Sequence, residues 1–152
     1  MPASMTSELF IDAPPDRVFA AMTDADGYRH WMKGFVGVEK LTQGPFGVGT
    51  EWRETRRMFG REASEVFEVT AYEPPSRLCL RVDGTRGASR KGEYRFEYAL
   101  APEGPGTRLR LKGEIDTPGW FARLMLRMLV GMFKKAHDKE MQALKRHVEK
   151  QR

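Results

Sequence analysis

The sequence predicts an α+β domain in which a curved, seven-stranded antiparallel sheet and two short helices grip a long C-terminal helix around an apolar cavity. Three observations predict it. Between residues 35 and 115, apolar and aromatic residues alternate with polar ones between glycine and proline turns, which is the period of half-buried strands. Ahead of that stretch two short runs have helical spacing, and after Pro118-Gly119 helical spacing returns and continues to the end. A chain of 152 residues, 40% hydrophobic and 31% charged, has the length and composition for one hydrophobic core. A single domain over 1–152 is therefore expected.

In order along the chain, residues 7–11 form a strand that stops at Asp12-Ala13-Pro14-Pro15-Asp16. The two prolines break pairing and preset a first helical turn, and Asp16 suits the positive end of the helix dipole. Val18, Phe19 and Met22 repeat at helical spacing up to Thr23-Asp24, which can cap a second short helix carrying Tyr28 and Trp31 and ending at Gly34. Strands follow at 36–42, 50–58, 62–72, 77–83, 93–100 and 107–115. Short turns such as Phe59-Gly60, Glu73-Pro74-Pro75-Ser76 and Glu103-Gly104-Pro105-Gly106 make neighbours antiparallel partners. In the last helix Phe121, Met125, Met128, Leu129, Met132, Phe133, Ala136, Met141, Leu144 and Val148 form the predicted apolar stripe. Its rod of ~45 Å is long enough to cross the sheet.

The net charge of +5 attracts polyanions without sequence recognition. Its distribution speaks against nucleic acid, because Arg53, Arg57 and Arg61 interleave with Glu51, Glu54 and Glu62 as on a solvated strand face. Cations of the last helix, from Lys134 and Lys135 through Lys139, Lys145 and Arg146 to Lys150 and Arg152, are more one-sided. They leave an acidic membrane surface open as a partner without favouring it over a solvated helix face. The apolar stretch 124–133 is broken by Arg127 and is far shorter than the roughly 20 residues of a span. Residues 1–8 lack the basic and apolar parts of a secretory signal, so a cytoplasmic location is expected.

Chemistry-bearing motifs are few. Cys79, the lone cysteine, sits between Leu78 and Leu80 and reads as a strand thiol. His30, His137 and His147 have no ligand spacing to one another or to Cys79, so no metal and no cofactor is expected. Gly44-Pro45-Phe46-Gly47-Val48-Gly49 lacks the Gly-Lys-Ser/Thr ending of a phosphate loop and leads into a strand. No serine sits in a nucleophile elbow and no element pairs two carboxylates, so catalytic residues stay unassigned.

A sheet that grips a helix turns every second residue inward. With Trp52 setting the phase, Glu54, Arg56 and Met58 share its face, while Glu51, Arg53, Thr55 and Arg57 point to solvent. The same rule turns inward Phe67 and Val69, then Leu78, Leu80 and Val82, then Tyr94, Phe96 and Tyr98, then Leu109 and Leu111. The predicted ligand-binding set is therefore Trp52, Glu54, Arg56, Phe67, Val69, Leu80, Tyr94, Phe96, Tyr98 and Leu109, with Met125, Leu129, Met132 and Phe133 from the helix. Glu54 and Arg56 are polar anchors for an otherwise apolar ligand on one reading, and a sheet-edge ion pair or a bulge-shifted exposed pair on the other. The methionines serve either as an adaptable ligand wall or as core filling.

The run from Ile11-Asp12-Ala13-Pro14-Pro15-Asp16 to Phe19, the stretch from Thr23-Asp24 to Trp31, and Gly49-Thr50-Glu51-Trp52 carry a resemblance over nearly the whole chain. So do Tyr72-Glu73-Pro74-Pro75-Ser76-Arg77-Leu78, Gly106-Thr107-Arg108-Leu109 and the end from Leu144-Lys145 to Val148-Glu149. The sequence resembles the START/Bet v 1-like (SRPBCC) helix-grip superfamily, of the polyketide cyclase/dehydrase or lipid-transport type. The resemblance implies binding or transport of a hydrophobic small molecule such as a lipid, isoprenoid or polyketide. A cyclase or dehydratase using Glu54, Arg56, Tyr94 or Tyr98, and an interaction module acting through the basic helix, remain the alternatives. The resemblance also places the 44–49 loop near the cavity entrance, with Phe46 as a gate.

Overall fold

The computed structural model describes residues 3–58, 60–87, 92–117 and 119–151. Phe59, Pro118, Arg152 and the side chain of Met58, all used above, lie outside the described residues. Strands β1 (Ala3–Ile11), β2 (Phe35–Lys40), β3 (Glu51–Met58), β4 (Arg61–Glu73), β5 (Arg77–Asp83), β6 (Glu93–Glu103) and β7 (Gly106–Asp116) form one sheet. Its order is β1-β7-β6-β5-β4-β3-β2, antiparallel throughout. Two helices and two 3-10 segments complete the described residues: α1 (Pro15–Met22), the 3-10 turn that follows it (Ala25–His30), a three-residue segment after β5 (Gly84–Arg86) and α2 (Trp120–Lys150).

The register aligns the inward residues into rungs. Trp52, Phe67, Val82, Tyr94 and Ile115 are successive cross-strand partners from β3 to β7, and Val69, Leu80, Phe96, Gly113 and Met5 form the next rung from β4 to β1. Gly113 is small for a reason. A Cβ there would lie 3.0 Å from the Met5 side chain and 3.5 Å from Phe96. The third rung runs from Tyr72 through Leu78, Tyr98 and Leu111 to Ser7.

Pro15 opens α1, whose Val18, Phe19 and Met22 are buried as the spacing predicts. The Tyr28 hydroxyl donates to the Met22 carbonyl at 2.5 Å and ties the 3-10 turn to α1. Gly34 follows with φ +68°, and a Cβ there would sit 2.4 Å from the Arg57 carbonyl oxygen. Only glycine lets the chain pass so close to β3, where the Arg57 amide donates to Gly34 at 2.7 Å.

Helix α2 runs along β1. Ser7 donates to Asp138, Lys145 to the Phe10 carbonyl, and the Asp12 amide to Glu149, and all three ties lie in the second half of α2. Met141, Leu144 and Val148 are buried there. In the first half, Val130 and Phe133 pack on the core, whereas Met125, Leu129 and Met132 are 42%, 41% and 63% exposed. The predicted stripe is therefore corrected over its first half, and core filling does not describe Met125, Met128 or Met132. Residues 120–133 are apolar around most of the helix, so spacing alone does not select the face that turns to the sheet.

Candidate ligand site

The inner face of β3 carries the chemistry. Trp52 is buried and its ring stacks on Phe67 across the β3–β4 ladder, with centroids 5.4 Å apart and planes 4° from parallel. Phe46 lies 5.8 Å from Trp52 and 5.6 Å from Tyr72, so the 44–49 loop folds its aromatic ring onto this wall. Two residues along β3, Glu54 is 5% exposed. It accepts from the Trp52 indole at 3.4 Å and from Arg56 Nε at 2.7 Å. Arg56, its side chain 23% exposed, also reaches the Met32 sulfur at 2.9 Å.

The partner completing this group comes from α2. Glu140 Oε1 is in ion-pair contact with Arg56 Nη2, although outside hydrogen-bond geometry. One guanidinium thus faces two carboxylates, and the β3–β4 register sets Glu65 opposite Glu54 on the same face. Burial raises the Glu54 pKa, an effect that Arg56 opposes and Glu140 reinforces. Burial works against the charge of Arg56, but Glu140 and Glu54 outweigh it and hold the guanidinium protonated. The Tyr98 hydroxyl is pushed well up, first by burial and then by Glu140.

Along α2 from Glu140, His137 packs on Phe96 at 5.0 Å and Phe133 on Tyr94 at 6.4 Å. Burial, then the nearby charge of Arg56, lowers the His137 pKa to about 4, so the ring is neutral at pH 7. The Trp31 indole N–H is buried without a hydrogen-bond partner among the described residues. The result is a mostly apolar, aromatic inner face with a neutral His137 ring on it and a hydrogen-bonded, net-acidic group beside it. Among the described residues no group of His, Cys, Asp or Glu could hold a metal ion.

The chain matches a family model described as polyketide cyclase/dehydrase and lipid transport over residues 2–149. The chain belongs to that family. Solved structures agree on the helix-grip fold: a START superfamily protein from Mycobacterium smegmatis has TM-score 0.78 at 15% identity, covering 98% of this chain and 99% of its own. The ZhuI aromatase/cyclase from Streptomyces sp. R1128 has TM-score 0.77 at 17% identity, covering 98% and 94%. Ara h 8.0201 has TM-score 0.77 at 15% identity, covering 97% and 98%. At these identities the likeness concerns the fold. No curated protein matches the chain.

On this family fold the structure brings together Trp52, Glu54, Arg56, Phe67, Tyr94, Phe96, Tyr98 and Phe133. Val69, Leu80 and Leu109 are buried in the core packing of the same sheet face. Met125, Leu129 and Met132 stand apart from that set, on the exposed side of α2. The wall that α2 contributes is instead Phe133, His137, Glu140, Met141 and Leu144, at steps of one, three and four residues. His137 and Glu140 were missed because they are polar, although their spacing from Phe133 and Leu144 sets them on the buried face. His30, at the end of the 3-10 turn, is exposed and stands outside this group. A surface groove of about 410 Å³ lies between the 3-10 turn and β2, lined by Ala25, Asp26, Phe35 and Val38 among others.

Proposed function

We propose that the protein binds a hydrophobic small molecule between the inner sheet face and α2, with the apolar body of the ligand against Trp52, Phe67, Tyr94 and Phe96. The observation that carries this reading is the Glu54–Arg56–Glu140 group, held beside aromatic walls rather than in water. A buried ionic group adds little net stability compared with apolar packing, so its presence here favours a binding role. With two carboxylates to one guanidinium, the group suits a head that donates hydrogen bonds, a hydroxyl or an amine, better than a carboxylate. Displacement of a fluorescent apolar probe by dodecanol, dodecylamine and dodecanoate tests it. Displacement by the first two at lower concentration than by dodecanoate is expected. No binding of probe or competitor would sink the reading, and preference for dodecanoate would overturn the choice of head group.

A cyclase or dehydratase activity is the second reading, supported by a carboxyl of raised pKa next to a guanidinium and the Tyr98 hydroxyl. In that role Glu54 takes a proton from a carbon acid while Arg56 holds the developing enolate oxygen. Turnover of a poly-keto substrate that falls at least about tenfold in Glu54→Gln, with binding retained, is the expected sign. Binding without turnover in the wild type returns the assignment to a carrier.

A further inference from the structure

We propose that the outer face of α2 docks on the surface of an anionic lipid bilayer, an inference independent of what the cavity holds. Trp120 and Met128 are 77% and 73% exposed, and Phe121, Leu124 and Met132 are each at least half exposed. Contiguous apolar strips of this kind on soluble proteins mark contact surfaces. The opposite side of the same turns is the one that meets the core, through Val130 and Phe133. Closing α2 further onto the sheet would leave the strip outside, so its occupant comes from beyond the chain.

Charge identifies that occupant. Between Asp116 and Asp138 the sequence holds Arg123, Arg127, Lys134 and Lys135 and no acidic residue. Phe121, Met125, Met128 and Met132 succeed one another by three or four residues and so share a helix face. The same steps continue through Lys135, Lys139 and Gln142 to Arg146. One face therefore changes from apolar to cationic along its length. Its cationic part lines a shallow groove of about 340 Å³ together with Lys33, and the one acid there, Asp138, is bonded to Ser7 and Lys134.

A bilayer interface offers acyl chains to the first part and phosphates to the second. A second copy of the chain would bring no carboxylate from residues 117–137 to set against the cations. Among the described residues no helix is long and apolar enough to cross a membrane. The helix therefore lies in the interface, with Trp120 at headgroup level.

The full chain is tested by cosedimentation with vesicles of phosphatidylcholine, pure or mixed with phosphatidylglycerol. Binding to the mixed vesicles is expected to be at least about tenfold tighter and to be released by salt. Lys135→Gln and Lys139→Gln should each weaken it about fivefold. Met128→Glu should abolish it while the urea midpoint stays unchanged, because the side chain is exposed. Brominated lipid should quench the wild type more than Trp120→Phe, which keeps Trp31 and Trp52. Failure to cosediment at low salt, or cosedimentation indifferent to Met128→Glu, overturns the proposal. So does a dimer in sedimentation velocity that Met128→Glu dissociates, with no vesicle binding, which would assign the face to a second copy.

Discussion

Arg56 holds the candidate site together, because Glu54 and Glu140 both depend on its charge. Arg56→Met leaves two carboxylates next to apolar walls without a counter-ion and should lower stability by about 3 kcal/mol in urea unfolding. Glu54→Gln should behave in the opposite way. The folded pKa of Glu54 lies above its ordinary 4.5, chiefly through burial. Its contribution to stability is therefore present below that value and is lost as pH rises through the folded pKa. Glu54→Gln removes that loss, so its stability relative to the wild type should grow as pH rises above 4.5; a difference between the two that does not change with pH refutes the assignment. His137 titrates with the other slope. Its folded pKa of about 4 is below the ordinary 6.5, so the unfolded chain takes up a proton first as pH falls between them. Stability then drops from pH 6.5 towards 4, and His137→Phe, which keeps a ring against Phe96, should flatten that part of the profile. An identical profile in the variant would show that the ring is not the titrating group.

At the level of elements, α2 is two structures in one rod. Met141 is 4% exposed in the half bound to β1, so Met141→Ala should cost about 3 kcal/mol. Met128→Ala, on the outer face of the other half, should change stability by less than about 0.5 kcal/mol. Equal costs in urea unfolding would show that the two halves are packed alike. This division also explains what could be read from the sequence. The strand phase was legible because Trp52, Tyr94 and Phe96 alternate with charged residues, and the pleat permits only two faces. The helix face was not legible over 120–133, where Trp120, Leu124 and Met128 compete with Leu126, Val130 and Phe133 for the same role. Glu140 escaped notice because an apolar stripe, by definition, passes over the charged residue that completes the site. The sequence marks Gly34 as the end of the second short helix, whereas the 3-10 turn already stops at His30 and Gly34 serves the approach to Arg57, a tertiary fact. Gly34→Ala should cost about 2 kcal/mol or more through both the positive φ and the contact, and it should loosen Arg56, the neighbour of Arg57 on β3.

Across the whole molecule, the family fold was legible because the order of its elements follows from periodicity and turns, while the ligand depends on volumes and contacts that periodicity does not encode. The same architecture sets a gradient of stability. The ties of α2 to β1 at Ser7–Asp138, Phe10–Lys145 and Asp12–Glu149 are confined to its second half, and the buried Met141, Leu144 and Val148 lie among them. Amide hydrogen exchange should therefore be slowest around 141–148, near the rate set by global unfolding, and faster across 120–129. Ligand and membrane should slow the first half in different company. An apolar probe, seated between sheet and helix, should slow α2 around 126–137 together with β3 and β6. Mixed phosphatidylglycerol vesicles should slow α2 over 120–132 and leave β3 and β6 unchanged. Uniform exchange along α2 would remove the gradient, and vesicle protection that extends equally into β3 and β6 would mean that lipid enters the cavity rather than meeting the outer helix face.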